Sequence, residues 1–346
     1  MTHEFKNILN DFQEAQKKGM QTILATVVAL DGSSYRKPGV RMLIREDQKM
    51  TGAVSGGCVE KEILQQSLEV FKTGIPKIMI YDGRYRLGCE GVLYILIEPF
   101  CPAKELVSAF NKTIQDRTSF VITSYFSKTE GSLEKAGSTI QFDGKEEMSF
   151  LQDETKNSKS DRRKLLSLSE KMKPCFKLVL IGSEHDAVQL CQYASLTGWE
   201  VTVVASISEA KHISNFPGAK ELVYLSAEKL DGVSIDSQTA VLLMTHSYAK
   251  DLQYLVKLKG VQPAYIGILG PAKRREKLLH EVISYCPDVE EEWLEKIHGP
   301  AGINIGSITP QEIAISIMAE ILSVVRREVP IPLKDKKGSI HESVKI

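Results

Sequence analysis

The strongest constraint on this chain lies in its second half, where four apolar runs recur: FKLVLIG (176–182), EVTVVAS (200–206), TAVLLMTH (239–246) and PAYIGILG (263–270). These runs are continuously apolar, and helical sequence follows, as in DAVQLCQYASLTG, which ends at Gly198. A strand that is apolar on both faces must be covered on both faces. Such strands alternating with helices predict a parallel sheet between two helical layers. Residues 175–330 are therefore read as a Rossmann-like, doubly wound domain.

The first half has a different rhythm. MTHEFKNILNDFQEAQKKG reads as an amphipathic helix, and QTILATVVAL (21–30), VRMLI (40–44), PKIMIYD and GVLYILIEPF as strands broken by turn clusters such as DGSSYRKPG. TSFVITSYF and GSTIQFDG look like a further strand pair. Residues 1–151 form a mixed α/β domain on this reading. The polar stretch 152–174 is taken as a linker with one helical segment, and 331–346 as a frayed tail. The last helix is signposted by Thr309 as N-cap, Pro310 at the first helical position and Glu312 as the other half of a capping box.

Charge excludes some function classes. Lys plus Arg equals Asp plus Glu at 44 each, so the overall field favours neither nucleic acid nor an anionic membrane. No apolar run approaches the roughly 20 residues of a membrane-crossing helix, and the N-terminal sequence does not read as a signal peptide; a cytoplasmic protein is expected. The six cysteines (58, 89, 101, 175, 191 and 286) show no close pairing, which argues against a zinc site or a disulfide framework.

One stretch stands out chemically. In TGAVSGGCVEKEIL (51–64), Gly56 and Gly57 precede Cys58, and the run 59–71 carries apolar residues at Val59, Ile63, Leu64, Leu68 and Val70 or Phe71, the rhythm of a helix buried on one side. Cys58 then lies at a helix N-terminus, where amide hydrogens and the helix dipole favour an anion or a thiolate. The plain alternative is a small residue in a tight turn. Glu60 suits either a cap for that helix or a proton donor and acceptor. Arg36 and Arg41 near the GSS loop could fork onto a phosphate or a carbonyl, or simply be solvated.

The segments LDGSSYRKPGVRMLI, TGAVSGGCVEKE, LGCEGVLYILIEP, MTHSYAKD, YIGILGPAKRREKL and GPAGINIGSITPQEIAISIMAEI resemble, in order and spacing, those of the XdhC/CoxI family of xanthine dehydrogenase accessory factors. The likeness spans nearly the whole chain apart from linker and tail. It implies a two-domain cytoplasmic protein, a chaperone rather than an enzyme. Such a protein binds molybdenum cofactor (molybdopterin), shields it, and delivers it to an apo molybdenum hydroxylase after a cysteine desulfurase has supplied the sulfur for sulfuration. A homodimer is expected from the commonness of two-fold assemblies.

An anionic pterin with a soft, dithiolene-bound metal calls for backbone donors and a soft sulfur. Gly56, Gly57 and Cys58 offer both, with Glu60 and Arg36 beside them, and Cys89 in RLGCEGVL is a second sulfur for a molybdenum contact. The family usually has two glycines after that cysteine, whereas Glu90 stands first here.

The Rossmann-like half carries a damaged dinucleotide fingerprint. GSEHDA keeps Gly182 but has Glu184 and Ala187 at the second and third glycine positions, and Ala205 and Ser206 stand where the family has Asp at the end of the second strand. NAD or FAD binding is therefore not expected, and a Rossmann oxidoreductase or nucleotide-binding protein is the alternative function; a scaffold with vestigial pockets is a third reading. Other candidates for a second site in this half are His185, Thr245, His246, Asp251, Gly270, Lys273 and Arg274. Three cations, Lys273, Arg274 and Arg275, near a helix N-terminus oppose its dipole and hint at a bound anion or an acidic partner. His298, Gly299, Gly302 and Gly306 lie in an irregular loop that either closes the same crevice or merely turns.

Overall fold

The structure is a computed structural model and describes residues 1–32, 34, 36–55, 57–85, 91–151 and 164–338, without the side chains of residues 58 and 85. The chain divides chiefly into two compact units, Met1–Pro174 and Cys175–Lys336.

The first unit opens with α1 (Thr2–Lys17), β1 (Thr22–Asp31), β2 (Arg41–Arg45), β3 (Met50–Gly52) and α2 (Cys58–Thr73). It continues with β4 (Lys77–Asp82), β5 (Val92–Pro99), α3 (Lys104–Gln115), β6 (Phe120–Phe126), β7 (Gly131–Ser132), β8 (Gly137–Phe142), β9 (Met148–Ser149) and β10 (Leu166–Met172). One antiparallel sheet has the order β3-β2-β1-β5-β4-β7, and a second runs β10-β6-β8-β9. Alternation along the strands divides the core of the larger sheet. Ile23, Ala25, Val27, Met42 and Ile44 pack with Val59, Ile63 and Val70 of α2. Leu24 and Leu43 join Phe5, Ile8 and Phe12 of α1, Phe110 of α3 and Phe120 of β6 on the other side. Both faces are covered, which explains why QTILATVVAL reads as continuously apolar. Each fully buried aliphatic or aromatic side chain contributes about 1.5–3 kcal/mol, so α2 is held on the sheet chiefly by this packing.

The second unit contains β11 (Lys177–Ile181), α4 (His185–Leu196), β12 (Glu200–Ala205), β13 (Ala219–Tyr224), β14 (Thr239–Leu243) and α5 (Tyr248–Leu258). After these come β15 (Tyr265–Ile268), α6 (Ala272–Tyr285), α7 (Glu291–Glu295), β16 (Ile297–His298) and α8 (Pro310–Arg326). The sheet order is β13-β12-β11-β14-β15-β16, and every pairing is parallel. Leu178, Leu180, Val201, Val203, Ala240 and Leu242 face α4 and α8. Val179, Ile181, Val204, Val241, Leu243, Ile266 and Ile268 face α5 and α6. This is the doubly wound Rossmann-like fold that the apolar runs call for. Its winding reverses between β11 and β14, where such sheets open a crevice at the carboxyl ends of the strands.

Three expectations are corrected. In the polar stretch read as a linker with a helical segment, Leu166–Met172 is a strand paired along its length with β6. Its outward serines and charges hide a strand whose Leu168 and Met172 face apolar neighbours. In α2, Leu68 is 58% exposed and does not belong to the buried face. Within the tail, Leu333–Asp335 forms a 3-10 turn.

Gly182 shows how closely the two loops at the reversal approach each other. Its φ is +136°, and a Cβ there would stand 2.2 Å from the Met244 carbonyl oxygen. Gly182→Ala is expected to destabilise the second unit by about 3 kcal/mol, from backbone strain plus a clash that no rotamer relieves. Urea unfolding measures this, and a loss below about 0.5 kcal/mol would contradict the packing account.

Candidate functional site

At the start of α2 the carboxylate of Glu60 organises the preceding turn. It accepts hydrogen bonds from the Ser55 amide (2.7 Å), the Ser55 hydroxyl (2.6 Å) and the Gly57 amide (2.9 Å). Burial works to raise the Glu60 pKa, but the hydrogen bonds from Ser55 and Gly57 outweigh it and hold the carboxyl below its usual range. Of the two roles read from sequence, capping is the one this geometry performs. Gly57 is the N-cap, with φ +119°, a conformation that favours glycine. Among the described residues, no atom beyond its chain neighbours comes within 4 Å of where a Gly57 Cβ would stand. The amide of Gly57, expected to face a bound anion, is instead engaged by Glu60. The Cα of this glycine has an open face.

Strand register sets the ends of β1, β3 and β4 and the starts of β2 and β5 at one side of the larger sheet. Asp31 at the end of β1 lies opposite Val92, and Asp82 at the end of β4 opposite the same residue. Gly52, ending β3, pairs with Met42 near the start of β2. The Arg36 loop, the turn into α2 and the connection from β4 to β5 therefore leave the sheet at the same edge. Cys58 begins α2, but its side chain lies outside the described residues, as do Gly56 and Cys89 entirely. Arg36 has its Nη1 4.0 Å from Glu4. Arg41 is buried against Glu170 and the Gly39 carbonyl, a structural pairing rather than a ligand fork. Ser55 was missed by sequence reading, although a hydroxyl residue just ahead of a glycine pair and a helix is a cap signal.

At the reversal point of the parallel sheet, Ser183 follows Gly182, and His185 and Asp186 occupy the first turn of α4. His246, in the loop after β14, has φ +54° and Nε2 3.9 Å from the Asp186 carboxylate. Thr245 donates its hydroxyl to Asp251 at 2.6 Å, and Arg274 holds the other Asp251 oxygen at 2.7 Å while lying over the Tyr248 ring. Asp251 thus supplies the anion that Arg274 calls for at the α6 N-terminus. Lys273 is exposed, and Arg275 donates to the Ile297 carbonyl at 2.9 Å. Gly270 has φ +120° beside the Arg274 side chain. In the irregular loop, His298 Nδ1 lies 3.2 Å from Glu320, whose other oxygen accepts the Gly302 amide at 2.7 Å.

Sequence reading also missed Glu209. It ends the 3-10 turn Ile207–Glu209 after β12 and accepts hydrogen bonds from the Ser183 hydroxyl, the Ser206 amide and Lys250. Burial pushes its pKa up, but these donors outweigh burial and keep it ionised below the usual range. The Ser206-x-x-Glu209 capping pattern was the available signal. Cys175 and Cys191 are buried, and burial alone pushes the Cys191 thiol up to about 11.

Residues 178–321 match the model of the XdhC Rossmann domain, and residues 15–82 match that of the XdhC and CoxI family. The chain is 27% identical over 344 residues to a Bacillus subtilis protein named as a probable xanthine dehydrogenase subunit, covering 93% of this chain and 98% of that one. It is 25% identical over 334 residues to the Escherichia coli protein named molybdenum cofactor insertion chaperone PaoD, covering 94% and 90%. The crystal structure of a xanthine dehydrogenase from Bacillus halodurans shares the fold, with TM-score 0.75 and 23% identity over 93% of this chain and 96% of that one.

Glu60→Ala is expected to destabilise the first unit by about 1–2 kcal/mol at pH 7. Because the folded pKa is depressed, this contribution is present above the ordinary value of 4.5 and is lost as pH falls through the folded value. Chemical denaturation from pH 7 to pH 3 should show the gap between wild type and variant closing below about 4.5. A gap that is independent of pH would contradict the clamp.

Proposed function

Because the chain belongs to the XdhC/CoxI family, matching its two models in order along the sequence, we propose that it is an accessory factor that binds molybdenum cofactor and delivers it to a molybdenum hydroxylase of the xanthine dehydrogenase type. The observation that carries this reading is the turn into α2, where Glu60 fixes the backbone, Gly57 keeps an open face, and Cys58 begins the helix. An anionic cargo with a soft metal fits a helix N-terminus and a thiolate. The fit does not depend on every amide of the turn, since Glu60 already occupies those of Ser55 and Gly57.

In this reading residues 1–151 form the cofactor-binding part. The Cys58 thiolate touches the metal or its terminal sulfur, Gly57 lets the cargo approach the backbone, and Glu60 holds the turn. Gly56, Arg36 and Cys89 complete the proposed site, as their residue types and the family resemblance suggest. The name of the Escherichia coli relative, an insertion chaperone, supports an accessory role. The name of the Bacillus subtilis relative points to the enzyme being served. The cysteine spacing of this chain argues against an iron–sulfur dehydrogenase in its own right. An apo molybdenum hydroxylase is the proposed client, a cysteine desulfurase the proposed sulfur source, the cytoplasm the place and a homodimer the assembly. Among the described residues no helix is long and apolar enough to cross a membrane.

The protein purified from cells that make the cofactor is expected to carry pterin, measured by fluorescence after oxidative release. Mixed with an apo-hydroxylase, the loaded protein should restore hydroxylase activity. Protein that carries no pterin and activates no hydroxylase would overturn the carrier assignment.

A further inference from the structure

After α8 the chain turns away through Arg327, whose φ is +56°, into the strip Val329, Pro330, Ile331, Pro332 and Leu333. The strip is apolar yet open to solvent: Val329 is 60%, Ile331 46% and Leu333 65% exposed. Pro330 and Pro332 fix their own φ, and each also keeps the residue before it extended, so the strip is straight before it meets anything. The entropy it loses on binding is correspondingly small. Three large aliphatic side chains on a stiff arm form an apolar patch of the kind that marks a contact.

A groove of matching character lies in the same unit. Beside α5, Ala227, Ala249, Leu252 and Val256 line a groove of about 490 Å³, together with the exposed ring of Tyr285. Grooves with an aromatic wall are where extended, proline-rich segments dock. Charge matches as well. Five cations and two acids flank the strip, at 326–328 and 334–337. Arg326, Arg327 and Lys334 have no ion pair among the described residues. The groove carries Glu228, and its own cation, Lys257, is already held by Asp231 at 2.7 Å. An acid on the rim thus faces a strip whose flanks are basic.

The arm does not fill the groove of its own chain. α8 packs on one face of the parallel sheet and α5 on the other, and five extended residues reach about 15 Å. Crossing a sheet between helical layers that are each about 10 Å thick takes that whole reach and leaves none to lie in the groove. We propose that the arm seats in the α5 groove of a second copy of this chain, and that copy's arm in the groove of the first, a two-fold exchange in which each contact is made twice. The proposal rests on the homodimer of the carrier reading, names its contact surface, and requires nothing of the cofactor site in the first unit.

Sedimentation velocity on the full chain tests it. The wild type is expected to dimerise, and Ile331→Asp in the arm and Ala249→Arg in the groove should each weaken association at least about tenfold, since apolar side chains lose their burial. Both positions are exposed, so the far-ultraviolet circular dichroism of each variant should be that of the wild type. Mixing the two variants restores one intact contact, the arm of the Ala249→Arg chain in the groove of the Ile331→Asp chain. The mixture should therefore form a dimer at a concentration where neither variant does so alone. A dimer that survives both substitutions, or a mixture that stays monomeric, overturns the exchange and leaves the homodimer standing. A wild type that is monomeric at its highest soluble concentration overturns both. Cofactor carriage is read separately, as retained pterin, and none of these outcomes alters it.

Discussion

The contact on which the first unit's chemistry depends is the carboxylate of Glu60 on the turn before its own helix. Three donors from Ser55 and Gly57 converge on it, so the backbone has one way to enter α2. Packing of Val59, Ile63 and Val70 then fixes the helix against the larger sheet. Together these set where the Gly-Cys step stands. The same contact reassigns Gly57: its amide serves the fold rather than facing an anion.

Much of the architecture was legible because burial leaves a period in the sequence. Strands covered on both faces read as unbroken apolar runs, and β11, β12, β14 and β15 fall within the four runs of the second half. The capping box at Thr309 and Glu312 was visible as letters and is present as hydrogen bonds. β10 was not legible, because an edge strand with one solvated face carries serine and charge where a core strand carries valine. Residue types and spacing singled out Thr245 and Asp251, which the structure joins by a hydrogen bond, but spacing cannot say which charges neutralise each other. Arg274 looked like a cation awaiting an anion, and the anion is Asp251, brought to it by the packing of α5 beside α6.

Glu209 illustrates the opposite error. A fingerprint counts positions along the chain, whereas hydrogen bonds join atoms in space. A 3-10 turn after β12 carries an acid back to Ser183 in the first loop. The two units thus follow one rule: a carboxylate three residues into a helical turn reaches back to a serine and shapes the loop. In the first unit the acid stabilises the turn that leads into α2. In the second it faces the reversal point of the sheet.

The central claim is that sulfur from Cys58 touches the metal of the cargo. Molybdenum X-ray absorption on the cofactor-loaded protein, compared between wild type and Cys58→Ala, tests it most directly. The account predicts a sulfur contribution in the wild type that is missing from the variant, together with weaker retention of the cofactor. Identical spectra and identical retention would contradict it.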